Sequence, residues 1–204
     1  MASPDSNLAL GRPACVSAQV ESVARPFKGP PAFVYRSAAV RDLAIILDFN
    51  PTITAWECGS RQIPVGNTRH RADITAHDVD GTIWLIDAPD RKLKAQVAAL
   101  ASSARSLGFR YRQVERTEIY DGFRLRNARD LLRYCGNDVP LGDRVRLLAT
   151  LDENGSLTLS ECLQIVRETK PIAALASMIL QGFIEVELDD ALIGPETKVT
   201  RMRT

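Results

Sequence analysis

A chain of 204 residues is long for one hydrophobic core and comfortable for two small ones. With 45% hydrophobic and 25% charged residues it has an ordinary globular composition, and no apolar run approaches the ~20 residues of a membrane span. The formal net charge of +1 excludes bulk attraction to nucleic acid, so such a function would have to reside in local patches. The cysteines, Cys15, Cys58, Cys135 and Cys162, have no short-range pairing. That spacing argues against a disulfide framework or zinc knuckle and for reduced, buried thiols. The first eleven residues lack a basic segment followed by an apolar core, and together these features predict a cytoplasmic location.

Residues 1–31 hold Pro4, Pro13, Pro26, Pro30 and Pro31 among Ser, Ala and Gly, and read as a leader without a core of its own. Ser37 is an N-cap candidate for a helix over Ala38–Asp48, in which Ala39, Leu43, Ile46 and Leu47 recur at helical spacing. Pro51 ends it. Short strands follow at Ile53–Cys58, Gln62–Val65, Arg71–Ala76 and Thr82–Asp87, the last two joined by an Asp80-Gly81 hairpin turn. An Ala-rich helix is expected over Arg91–Leu107, closed by Gly108. A strand over Phe109–Val114 and a helix over Ala128–Tyr134 complete a mixed α/β layer, residues 32–136. After Gly136-Asn137-Asp138-Val139-Pro140 the composition changes. Helices over Asp143–Asp152, Leu159–Glu168 and Ile172–Gln181, then strands over Phe183–Leu188 and Lys198–Met202, predict a small winged-helix domain over residues 137–204.

Some of these segments carry a family resemblance. They are Leu47-Asp48-Phe49-Asn50-Pro51, then Ile53 and Trp56, Ala72-Asp73, Asp78-Val79-Asp80-Gly81 and Ile83-Trp84-Leu85-Ile86-Asp87. Leu107-Gly108-Phe109, the stretch Glu115–Ile119 and Asn127-Ala128 follow in order. The series resembles the N-terminal domain of TnsA-type transposon-end endonucleases over roughly the central hundred residues. That resemblance implies a restriction-endonuclease-like mixed sheet flanked by helices. It also implies a Mg²⁺- or Mn²⁺-dependent site, with carboxylates on adjacent strands, a lysine and a helix glutamate. Asp73 matches the first carboxylate and Asp87 the second, which makes them the candidate metal ligands. Val40, however, stands at the glutamate position, Pro89 at the lysine position, and Gly59-Ser60 where the family has Gln-Pro. Asp42 lies about 200° around the helix from Val40 and does not replace it. Lys92, expected at the start of the next helix, is the substitute lysine if the site is active.

The bland reading makes Asp73 and Asp87 solvated strand-end acids. His70 and His77, bracketing Asp73 on what reads as one strand, fall on opposite faces and do not form a two-histidine site. Candidate phosphate contacts are Arg110 and Arg112 on a strand, Arg124 and Arg126 in an extended stretch, and Arg129 and Arg133 on a helix. Glu115, Glu118, Asp121 and Asp130 dilute that patch, and an ordinary solvated face is the competing reading. Lys170, Lys198 and Arg201 flank the winged helix, whose third helix has only Ser177 and Gln181 as polar side chains. That helix is poorly suited to read base edges and better suited to docking.

The resulting expectation is a TnsA-like protein in a mobile-element context, its strand cleavage lost or nearly lost. It would bind DNA or, through the winged helix, a transposase- or ATPase-like partner. An active metal-dependent endonuclease and a winged-helix transcriptional regulator are the alternatives.

Overall fold

The computed structural model describes residues 26–31 and 33–202. The expected leader residues before 26 lie outside these, and Cys15 with them. Ser37 caps helix α1 (Ala38–Asp48), its Oγ accepting from the Val40 amide at 3.3 Å. Five strands follow: β1 (Ile53–Cys58), β2 (Gln62–Val65), β3 (Thr68–Arg71), β4 (Ile74–Asp78) and β5 (Ile83–Asp87). Next come α2 (Val97–Ser106), β6 (Arg110–Gln113), α3 (Arg116–Tyr120) and α4 (Arg124–Leu132).

The main sheet has the order β1-β4-β5-β6, antiparallel except for the parallel β5–β6 pair, and is therefore mixed. Alternation along the strands divides its two faces. Trp56, Ile74, Ala76 and Ile86 pack with Leu43 and Leu47 of α1 and Ala128 of α4 on one side. Leu85 and Tyr111 pack with Leu100 and Ala104 of α2 and Ile63 of the separate β2–β3 hairpin on the other.

The second half runs α5 (Leu141–Asn154), β7 (Ser156–Thr158), α6 (Leu159–Ile165), α7 (Pro171–Leu180), β8 (Ile184–Val186) and β9 (Lys198–Arg201). Its antiparallel sheet, ordered β7-β9-β8, closes over a core that includes Leu147, Leu151, Cys162, Met178 and Ile184. The halves meet through Leu131, Ala176 and Leu188, and Leu180 of α7 belongs to the core of the first half. Among the described residues no helix is long and apolar enough to cross a membrane.

The structure corrects several expectations. The run Arg71–Ala76 is broken at Ala72-Asp73, so His70 lies on β3 and His77 on β4, in different sheets. Helix α2 starts at Val97, not Arg91, because the backbone ahead of it is tied to β6. Gln113 Nε2 donates to the carbonyls of Ala88 (3.4 Å) and Arg91 (3.0 Å). Arg124 and Arg126 are helical, because the helix expected from Ala128 begins at Arg124. Helix α3 and strand β7 were not anticipated. Each is three to five residues long, too short to display a period, although both Glu115/Glu118 and Thr158/Glu161 form capping boxes.

Candidate functional site

The two strand carboxylates are neither solvated nor separate. Asp73 is 6% exposed and Asp87 fully buried, at adjoining ends of β4 and β5. The Asp73 amide donates to Asp87 Oδ1 at 3.0 Å, while the Ala88 amide donates to Asp73 Oδ2 at 3.1 Å. The pair is thus held by backbone groups that neither side chain controls.

What surrounds the carboxylates decides their chemistry. Arg36 grips Asp73 in a bidentate fork, with Nε to Oδ1 at 2.7 Å and Nη2 to Oδ2 at 2.9 Å. Arg91 Nη1 adds a third bond to Oδ1 at 3.1 Å. Arg36 also reaches Asp90 at 2.7 Å. The hydrogen bonds to Asp73 push the Arg36 guanidinium well above its ordinary range. Two cations that never deprotonate near neutral pH therefore lie against the first carboxylate. On Asp87, His70 Nε2 sits 2.6 Å from Oδ2 and the Tyr111 hydroxyl donates to the same oxygen at 2.7 Å. Burial, then that bond and the charge on Asp87, push the Tyr111 phenol far up, so it remains a donor.

All four carboxylate oxygens thus have protein partners, and those of Asp73 face positive charge where a divalent cation would have to approach. The residues present do not fit a Mg²⁺ or Mn²⁺ site: among the described residues no group of three or more His, Cys, Asp or Glu is arranged to hold a metal. Val40 is 1% exposed within the core. Pro89 lies in the turn beyond the end of β5, and Lys92 is exposed on the 88–96 loop, away from the hydrogen bonds of the pair.

Arg36 is delivered by the segment before α1. Asp48, at the end of that helix, accepts from the amides of Phe27 (3.1 Å) and Lys28 (2.9 Å) and from Trp56 Nε1 (2.7 Å). Phe33 and Tyr35 then pack against Trp56, with ring centroids 5.8 and 6.3 Å from it, and Arg36 follows directly. Residues 26–31 and 33–36 form a strap against the end of α1 and Trp56 of β1, and not only a leader.

Beside the pair opens a cleft of about 550 Å³. Its β3 wall carries Arg69, His70 and Arg71, and its loop wall carries Asp90, Arg91, Lys92 and Lys94. The nucleic-acid candidates fare differently. Arg112 pairs with Glu118, Arg124 with Asp189, Arg129 with Asp42, Arg133 with Asp130 and Arg201 with Asp152. Arg110 lies over the Trp84 ring at 5.5 Å. Arg126, Lys170 and Lys198 are exposed on three different elements, with no carboxylate partner among the described residues.

Sequence reasoning missed Arg36, Arg91 and Tyr111 as partners of the acids and separated His70 from them. One signal was present: Arg36 stands immediately before the Ser37 helix cap and Arg91 four residues after Asp87, each close in sequence to an element that carries the pair.

In the second half, α7 buries Ala173, Ala174, Leu175, Ala176, Ser177, Met178 and Leu180. Its polar side chain Ser177 and the C-cap Gln181 are satisfied internally, Ser177 Oγ donating to the Asn137 carbonyl at 2.6 Å and Gln181 Nε2 to Ser177 Oγ at 2.9 Å. The β8–β9 connection is pinned to α4. Asn127 Nδ2 donates to the carbonyls of Leu188 (2.9 Å) and Ala191 (2.8 Å), and its Oδ1 accepts from the Ile193 amide (3.0 Å). In comparisons with known proteins, no family model matches the chain and no curated relative is found.

Proposed function

We propose that this chain is a TnsA-like protein of restriction-endonuclease-like fold in which ion pairing has replaced metal-dependent cleavage. It acts by binding DNA or a transposition partner. The observation that carries the reading is the bidentate Arg36 fork on Asp73, reinforced by Arg91. Placing a divalent cation there would require displacing two guanidiniums from a buried carboxylate, and breaking such a pair costs on the order of several kcal/mol. The order of the second half, three helices and a three-stranded ribbon, supports a winged helix. Its buried α7 and pinned connection favour a packing or docking role over operator reading. A transcriptional regulator would require α7 to leave the interface it shares with α4.

The test is calorimetric titration of Mn²⁺ into the wild type and Asp73→Ala, with plasmid nicking assayed in parallel. The expected result is no metal-dependent heat and no nicking in either protein. Mn²⁺-dependent nicking by the wild type that disappears in Asp73→Ala would overturn the proposal. It would restore the endonuclease with Asp73 and Asp87 as ligands and Lys92 as its cation. In the Arg36→Ala/Arg91→Ala variant the freed carboxylates are expected to gain measurable Mn²⁺ binding.

A further inference from the structure

We infer that the cleft between β3 and the 88–96 loop is a binding site for the phosphate backbone of duplex DNA, gripped without a metal and without reading bases. The inference rests on the nuclease-fold reading only for its choice of nucleic acid; the cleft itself is independent of that reading.

In a chain with a net charge of only +1, this cleft collects an excess of cations. Arg36 and Arg91 are committed to Asp73 and Asp90. Four further cations, Arg69, Arg71, Lys92 and Lys94, have no carboxylate partner among the described residues. All four are exposed, two on each wall. Arg69 and Arg71 are two residues apart on β3 and share a face of the hairpin. Lys92 and Lys94 are likewise two apart on the opposite wall. Asp90, the only acid in the cleft lining, is already neutralised by Arg36. An anion entering here meets uncompensated positive charge from two sides.

The lining also says what kind of anion. It contains no Phe, Tyr or Trp, and its one aromatic ring, His70, is held by Asp87. A nucleobase or a single strand would find no stacking platform, which is how such ligands gain affinity. A rigid array of backbone phosphates needs only spaced cations and released counterions. Asp73 is held by its two arginines and Asp87 is fully buried behind His70 and Tyr111, so neither carboxylate opens into the cleft.

The experiment uses the full chain in a chelator-containing buffer and follows anisotropy of a labelled, mixed-sequence DNA duplex between about 50 and 200 mM salt. Arg69→Ala/Lys92→Ala/Lys94→Ala is expected to weaken binding at least tenfold and to flatten the log K against log salt slope by about 3. Lys92→Arg/Lys94→Arg, which preserves charge, should bind as the wild type does. Arg126→Ala/Lys198→Ala, removing exposed cations elsewhere, should stay within about twofold of it. All changed side chains are exposed, and matching circular dichroism and melting curves check the fold.

Wild-type-like binding by the triple variant would overturn the inference. So would an equal loss in the Arg126→Ala/Lys198→Ala variant, tighter binding of an RNA duplex, or competition by poly-glutamate as effective as by unlabelled duplex. Because metal is chelated throughout, a positive nicking result would count against the loss of cleavage and leave this binding result standing.

Discussion

Two buried aspartates show how one side chain type takes opposite parts according to its partners. Asp73 faces two guanidiniums, whereas Asp48 has three neutral donors and the partly buried Lys28 ammonium nearby. Burial dominates at Asp48 and raises its carboxyl above the ordinary range in spite of the bonds from Trp56, Lys28 and Phe27. A raised carboxyl pKa means that the folded state holds the proton more tightly than the unfolded chain. Stability is therefore lost as pH rises from the unfolded value, about 4, through the raised folded value. Asp48→Asn removes that titration. It also turns an amide donor toward the Phe27 amide, a fixed cost of about 1–3 kcal/mol. Urea unfolding at several pH values should show the variant less stable throughout, with the deficit shrinking as pH rises above about 4. A deficit that grows with pH would mean that hydrogen bonding, not burial, governs Asp48.

At the scale of elements, the strap over residues 26–31 and 33–36 governs the site. Gly29 lies flat on the Trp56 indole, and a Cβ there would overlap the ring. Gly29→Ala should lift the strap, change Trp56 fluorescence and loosen Arg36 from Asp73. The expected loss is about 1–3 kcal/mol in chemical denaturation, as for other overpacking substitutions. Unchanged fluorescence and stability would show that the strap does not bear on Trp56. The strap also marks where sequence reading stopped. Ser37, the α1 period, the Asp80-Gly81 turn and the Gly108 stop were legible because each is a local signal read within a few residues. Asp73 and Asp87 were legible as acids at strand ends beside the Asp80-Gly81 turn. Their partners were not, since Arg36 and Asp73 are 37 residues apart and Tyr111 and Asp87 are 24 apart. Only the tertiary fold joins them. Proline-rich residues 26–31 read as coreless because their anchors, Asp48 and Trp56, belong to elements that come later in the chain.

For the whole molecule, the question is whether the chain behaves as two domains or one. Composition divides it near residues 136–140, and each half has its own core. Yet Asn127, 2% exposed, spends its side chain on three backbone groups of the β8–β9 connection. Arg124 binds Asp189 through both oxygens at 2.6 and 2.7 Å beside it. Gly122, at φ +69°, brings the chain so close to the Asp189 carbonyl that a Cβ would stand 3.0 Å from it. Separating the halves would uncover Leu131, Ala176 and Leu188 and exchange the three Asn127 hydrogen bonds for water. Both tryptophans, Trp56 and Trp84, lie in the first half, so their fluorescence reports that half while far-UV circular dichroism reports both. The two signals should give coincident urea transitions in the wild type. Asn127→Ala should shift both together, by about 2–4 kcal/mol, because it strips partners from three buried or half-buried groups at once. A circular dichroism transition that precedes the fluorescence transition already in the wild type would mean that the second half unfolds alone. The connection between β8 and β9 would then be free often enough to serve as a DNA-contacting wing after all.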